Sequence, residues 1–224
     1  MAFLTKEESN QVAEAVAQAE LKTGGEIVVA IIPESDDYAG KEFLFALLMG
    51  ILAFFIAAWN TTGISALLNT MFWNPSPILL PLSVGTIGFA AASMAYALAQ
   101  IPALDRLIVG KRVMELSVKK RAMRHFAESG VYDTQDATGV LLFLSVLERR
   151  VELIADRGIH EKIAPDTWDR IVSALSRSLK ENKGAQALVH AVQEIGIVLA
   201  EHVPPREDDE NEKGDAPIEL EKGS

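Results

Sequence analysis

Phe43-Leu44-Phe45-Ala46-Leu47-Leu48-Met49-Gly50-Ile51-Leu52-Ala53-Phe54-Phe55-Ile56-Ala57-Ala58-Trp59 opens a run, reaching Leu104, that holds no Lys, Arg, Asp, Glu or His, while the chain on both sides is densely charged. A single helix crosses a hydrocarbon core of about 30 Å with about 20 apolar residues, so the run is too long for one crossing. Asn60-Thr61-Thr62-Gly63 and Trp73-Asn74-Pro75-Ser76-Pro77 divide it. Two transmembrane spans are predicted, at about 43–59 and 78–101, with Ile64–Trp73 between them as a short segment in the far interface. A hairpin buried in a soluble protein is the competing reading, but the roughly 160 residues outside the run are too few to wrap two bare helices of this length. Gly50/Ala53/Ala57 and Ala91/Ala95/Ala99 form small-residue stripes at helical spacing. Such stripes let backbones approach closely in lipid, joining the two spans or joining two protomers into a homo-oligomer. Neither span carries an ionisable group, so a proton relay or transport path has no candidate residue there.

Charge sets the orientation. Arg106, Lys111, Arg112, Lys119, Lys120, Arg121 and Arg124 follow the second span and Lys41 precedes the first, whereas the connecting loop has no basic residue. Lys and Arg near span ends favour the cytoplasmic face, and Trp59, Phe72 and Trp73 suit an aromatic belt at the far interface. The expected location is therefore the cytoplasmic membrane, with both termini cytoplasmic and the lipid bilayer as the first partner. Met1-Ala2-Phe3-Leu4 runs straight into Lys6-Glu7-Glu8, which is no signal peptide.

An even number of crossings leaves the flanking segments on one side, where they can build one domain. The predicted organisation is 1–41 as its first part, 42–104 as the hairpin, 105–205 as its second part, and 206–224 as an acidic disordered tail. Thr5-Lys6-Glu7-Glu8 is a capping box for a helix with Val12, Ala15, Val16 and Ala19 at helical spacing, closed by Gly24-Gly25. Glu26–Ile32 is apolar without alternation, as in a strand covered on both faces. After the spans, Asp105–Glu128 reads as one helix with a basic face toward the headgroups. Gly139–Leu147 and Arg150–Asp156 read as strands joined by a turn at Glu148-Arg149, the latter half-exposed. Two helices follow: Pro165–Leu179 with Trp168, Ile171, Val172, Leu175 and Leu179 on one face, and Ala185–Glu201 with Leu188, Val189, Val192, Ile195 and Leu199. The expected fold class is α/β: a small mixed sheet covered by helices, interrupted by a two-helix transmembrane hairpin.

The net charge of −10, of which the eight acidic and three basic residues of the tail supply half, argues against nucleic acid as a partner. The absence of Cys excludes disulfides, thiolate nucleophiles and Cys-ligated zinc. Several motifs fall short. His160-Glu161 lacks the second His of a zinc-protease helix, with Ala164 in its place. Asp105 and Arg112 stand where a phosphate-binding loop around Gly110-Lys111 needs Gly and Ser/Thr, and Leu220 stands where a calcium loop starting at Asp209 needs Glu. Ser145 lacks the glycine-flanked elbow of a hydrolase serine. What remains is Asp156-Arg157-Gly158, a candidate ligand-binding site at a strand end, where an acid and a base stand side by side and Gly158 lets a ligand approach the backbone. The alternative for these residues is local: Asp156 caps the following turn and Arg157 pairs with a nearby acid. Asp36 and Asp37, leaving the first strand, join Asp156 as metal ligands if the two strand ends are neighbours.

Taken together these residues resemble the TPM domain family in the form that a membrane hairpin interrupts. The resemblance rests on Thr23-Gly24-Gly25-Glu26-Ile27-Val28-Val29, Ser35-Asp36-Asp37-Tyr38, Thr138-Gly139-Val140-Leu141-Leu142-Phe143-Leu144-Ser145, Glu148-Arg149-Arg150-Val151-Glu152, Ala155-Asp156-Arg157-Gly158-Ile159 and Asp208-Asp209-Glu210-Asn211-Glu212. Its most specific part runs from Thr138 to Ile159. The resemblance implies either of two functions. Some exported TPM domains are described as phosphatases with a divalent metal ion held by acidic loop residues, while relatives serve photosystem repair or act as accessories beside membrane receptors. Phosphatase-type relatives carry Asp-Asp-x-Gly near the start of the domain, where this chain reads Met1-Ala2-Phe3-Leu4-Thr5. The expectation is therefore a membrane-anchored interaction or assembly factor with a protein partner. The alternative is a metal-dependent phosphatase at the cytoplasmic membrane face, with a divalent cation as cofactor.

Overall fold

The computed structural model describes residues 3–132, 134, 137–181, 184–205 and 214–222. In order they form α1 (Lys6–Glu20), β1 (Glu26–Ile32), α2 (Ala39–Trp59), α3 (Thr61–Met71), α4 (Leu79–Ala99), α5 (Pro102–Val109), α6 (Lys111–Glu128), β2 (Gly139–Ser145), β3 (Arg150–Ala155), α7 (Arg157–His160), α8 (Pro165–Lys180), α9 (Gly184–His202) and β4 (Ile218–Glu219). Two compact units result, Met1–Asp36 with Met114–Ser224, and Asp37–Val113.

The first unit is a four-stranded mixed sheet in the order β3-β2-β1-β4. β1 pairs in parallel with β2 from Glu26 opposite Gly139 to Ile32 opposite Ser145, and β3 returns antiparallel along β2. Because strand side chains alternate between faces, the unbroken apolar run of β1 supplies both cores. Ile27, Val29 and Ile31 face one core with Val140 and Leu142, closed by Val12 and Val16 of α1, Ile171 and Leu175 of α8, and Leu188, Val192, Ile195 and Leu199 of α9. Val28, Ala30 and Ile32 face the other with Leu141 and Phe143, closed by Val118 and Ala122 of α6. Each of these Val, Ile, Leu and Phe side chains contributes about 1.5–3 kcal/mol on withdrawal from water. The capping box of α1 is formed: the Thr5 N–H donates to Glu8 Oε2 at 2.8 Å and the Glu8 N–H to Thr5 Oγ1 at 3.2 Å.

Three elements depart from the sequence expectation. Asp105–Glu128 is two helices rather than one, because Gly110 adopts φ 82° between them, a conformation that breaks the helical ladder and suits glycine. Nor is the basic run of α6 wholly a surface face. Lys119, Lys120 and Arg124 are exposed, but Arg121 is buried and pairs with Glu128 at 3.5 Å. The third departure is the tail. Asp208–Glu212 lie outside the described residues, but 214–222 are ordered against the sheet. Ile218 and Glu219 run parallel to Ala30 and Ile31, the Leu220 N–H donates to the Ile31 carbonyl at 2.8 Å, the Leu4 N–H donates to Glu219 Oε1 at 3.2 Å, and Lys222 pairs with buried Glu34 at 2.6 Å. β1 is apolar on both faces, and an open edge would leave buried peptide groups without partners. The returning segment supplies them at Ala30 and Ile31, although its composition carries no strand signal.

The second unit is helical. α2 and α4 pack side by side along a seam of Ala46, Gly50 and Ala57 against Val84, Gly88, Ala95 and Ala99, all buried. A Cβ on Gly50 would lie 2.7 Å from Ala92 Cβ, and one on Gly88 3.0 Å from Phe54 Cβ. The small residues thus let the backbones touch within the hairpin. α3 covers the segment expected at the far interface. α2 begins at Ala39, and α5 packs on both α2 and α4, so this unit extends past 42–104 at each end.

Truncation after Pro205 removes β4 and its ion pair and exposes the edge of β1, a loss of about 2 kcal/mol for the bonds involved. The melting temperature of the purified protein should fall by about 4–8 °C; an unchanged value would show that the segment contributes nothing to the fold.

Candidate functional site

β3 ends at Ala155, and the Asp156 N–H continues its ladder to the Gly139 carbonyl at 2.8 Å. Asp156 then caps α7: Oδ1 accepts the Arg157 N–H at 2.6 Å, and its carbonyl accepts the His160 N–H at 2.9 Å. The Gly158 N–H donates to the Ala137 carbonyl at 3.0 Å, and Arg157 Nε meets Glu161 Oε1 at 2.9 Å with both side chains largely exposed. The candidate triplet therefore has local structural duties throughout. Within the triplet, Asp156 Oδ2 is enclosed and meets no hydrogen-bond donor among the described residues.

Asp36 and Asp37 lie elsewhere. Asp36 follows the carboxyl end of β1, where its Oδ2 accepts from Ser117 Oγ of α6 at 2.8 Å; Asp37 Oδ1 accepts the Ala39 N–H at 3.0 Å, at the start of α2. Because β3 runs back along β2, Asp156 sits level with Gly139 and Glu26, at the opposite end of the sheet from Asp36. The intervening strand spans about 20 Å, whereas ligands of one cation lie within about 2.0–2.6 Å of it. The structure does not bring Asp36 and Asp156 together. Among the described residues no group of three or more His, Asp or Glu is arranged to hold a metal ion.

Two polar clusters escaped the sequence reading. At the carboxyl ends of β1 and β2, the Ser35 N–H donates to Glu148 Oε1 at 2.9 Å, Ser35 Oγ donates to Ser145 Oγ at 2.7 Å, and Ser145 Oγ donates to Glu148 Oε2. All three residues are buried, so the chain of hydroxyls ending on a carboxylate ties the loop leaving β1 to the β2–β3 turn. That turn places Arg149 at φ 52°. Beside it lies a pocket of about 400 Å³ whose wall includes Ser145, Arg149, Ser176 and Lys180. Glu8 lines the same pocket, so its charged wall combines two cations with one carboxylate. The sequence signal was Ser145-x-x-Glu148, readable only once the Ile32–Ser145 register sets Ser35 nearby.

The second cluster gathers carboxylates at the amino end of β1. Glu20 Oε1 accepts the Ile27 N–H at 2.8 Å, and Glu26 and Asp215 lie close by. Burial, outweighing that backbone hydrogen bond and helped by its two acidic neighbours, pushes the Glu20 carboxyl up to about 8. Elsewhere, burial and then Arg121 lower the pKa of His125, and burial raises that of Glu152.

Residues 106–198 match the family model of the TPM domain. The matched span includes Thr138–Ile159, the most specific part of the resemblance, and leaves the first-half residues around Thr23 and Ser35 outside it. Among solved structures, the NMR structure of the BA42 protein from the psychrophilic bacterium Bizionia argentinensis is similar, with 19% identity, coverage of 98% of this chain and 97% of that one, and a TM-score of 0.57. At that identity the likeness shows the fold. No curated protein matches the chain.

Because the pKa of Glu20 in the folded protein lies above its ordinary 4.5, folding takes up a proton. The associated stability is complete below about pH 4.5 and is lost as pH rises through about 8. Melting temperatures of the parent should therefore decline between about pH 5 and pH 9 more steeply than those of Glu20→Gln, which keeps an acceptor for Ile27 without the charge. Parallel profiles would show that Glu20 is ionised throughout.

Proposed function

We propose that this chain, whose residues 106–198 belong to the TPM domain family, is a membrane-anchored interaction or assembly factor. The hairpin of α2 and α4 crosses the cytoplasmic membrane, and the mixed-sheet unit meets a protein partner on the cytoplasmic side. The observation that carries the anchoring is exposure. Both helices are 21 residues long and apolar enough to span, yet only 22% of each hydrophobic window is buried. A core helix of a soluble protein would be mostly covered. Here Phe43, Ile51, Leu52, Phe55 and Ile56 of α2 and Leu82, Phe89 and Met94 of α4 point outward, while the small residues turn inward. Lipid is the solvent such a surface fits.

Two features support interaction over catalysis. The acidic residues that a metal-dependent phosphatase would use lie at opposite ends of the sheet, and each takes part in a structural hydrogen bond. The arginine beside Asp156 is spent on an exposed i,i+4 pair, worth a few tenths of a kcal/mol. The basic residues flanking the spans support cytoplasmic termini.

Orientation is tested with single cysteines, for which the cysteine-free chain provides a silent background. In intact cells a membrane-impermeant thiol reagent should label a cysteine at Thr61 and spare one at Gly214, which is exposed with open space around its Cα; the reverse pattern would invert the topology. For catalysis, the parent should show no saturable, divalent-dependent turnover of a general phosphate ester, and Asp156→Asn, which keeps a capping oxygen for the Arg157 N–H, should leave turnover and stability unchanged. Metal-dependent turnover abolished by Asp156→Asn would replace the interaction factor with a hydrolase.

A further inference from the structure

Within the helical unit, a groove of about 940 Å³ runs between α2, α4 and α5, lined by Leu44 and Leu48, Met94 and Leu98, and Leu107. Its walls carry one charge, Lys41, at the end where α2 begins. The Lys41 ammonium has no ion-pair or hydrogen-bond partner among the described residues. Its neighbour Glu42 is buried and turned to Gln100, whose Nε2 donates to Glu42 Oε2 at 2.6 Å. The groove follows α2 from Lys41 to Met49 and α4 from Ala91 to Ala99. At 1.5 Å per residue each stretch is about 12 Å long, close to half of a hydrocarbon core of about 30 Å. The dimensions are those of one leaflet.

We propose that this groove is a phospholipid site in which an acyl chain lies against Leu48, Met94 and Leu98 and an anionic headgroup is held by Lys41. The inference rests on the membrane reading of α2 and α4. Charge complementarity selects the occupant: a helix of a partner protein packed in the groove would bury an uncompensated ammonium, and a zwitterionic lipid gives that ammonium no net charge to neutralise. The headgroup phosphate of an anionic lipid does so at the depth where the groove opens. On and just after α5, Arg106, Lys111 and Arg112 outnumber Asp105, so the net charge of that segment is positive as well.

The test uses full-length protein in detergent with mixed phosphatidylglycerol and phosphatidylcholine, bound lipids being counted by native mass spectrometry. Phosphatidylglycerol should be retained over phosphatidylcholine by about five-fold, the factor that one basic residue near an anionic leaflet supplies. Lys41→Gln should abolish the preference while leaving phosphatidylcholine binding intact, which also shows that the variant is folded. Met94→Trp, at an exposed position outside the helix seam, should reduce the retention of both lipids by filling the groove. Equal retention of the two lipids by the parent, or an undiminished preference in Lys41→Gln, would overturn the site. Extraction of the parent from membranes by alkaline carbonate would overturn the membrane reading and the site with it, whereas a protein that resists extraction yet shows no lipid preference would refute the site alone.

Discussion

The parallel pairing of β1 with β2 is the constraint on which the mixed-sheet unit depends. The two strands are separated in sequence by the whole helical unit; the first half holds the single strand β1, and the second half without it keeps only the β2–β3 pair. Loop-closure entropy grows only slowly with length, by about 0.6 kcal/mol per doubling, so a long insertion between the strands is tolerated once their register is specified. Specification comes from side chains. Ile27–Ile32 of β1 and Val140–Leu144 of β2 divide alternately between two cores, and a slip of one residue would exchange every one of them between faces.

From that register the placement of polar residues follows. Ile32 opposite Ser145 brings the residues just beyond β1 against the turn after β2, and the buried Ser35, Ser145 and Glu148 satisfy one another there. The antiparallel return of β3 carries Asp156 away from that end and beside Gly139. A three-carboxylate metal centre built from Asp36, Asp37 and Asp156 is incompatible with this topology for reasons of distance alone. Three carboxylates meet instead at the amino end of β1, where burial first and then Glu26 and Asp215 raise the pKa of Glu20.

The helical unit is arranged the other way round. Its small residues are inside and its large apolar residues outside, the inverse of the mixed-sheet unit, where Phe143 and Leu142 are wholly buried. In water that surface would be strongly unfavourable, while in a bilayer it needs no cover, and close backbone contact between helices becomes the available source of cohesion. The groove beside α5 interrupts this surface at Lys41, the one place along its walls where charge meets apolar lining.

Periodicity and charge, which are local properties, were sufficient to identify both long apolar helices, the capping box at Thr5, the bounds of β1 and the buried faces of α8 and α9. Each depends on residues within a few turns of one another, and that information lies along the chain. Glycine conformation was less legible: Gly110 looks like an ordinary helix residue in sequence until its positive φ divides α5 from α6. Long-range pairing was not legible at all. β4 has two ladder residues in an acidic segment, and it forms because the exposed edge of β1 has peptide groups to satisfy. Likewise the separation of Asp36 from Asp156 depends on strand direction, and strand direction is decided by which partner each edge finds in three dimensions.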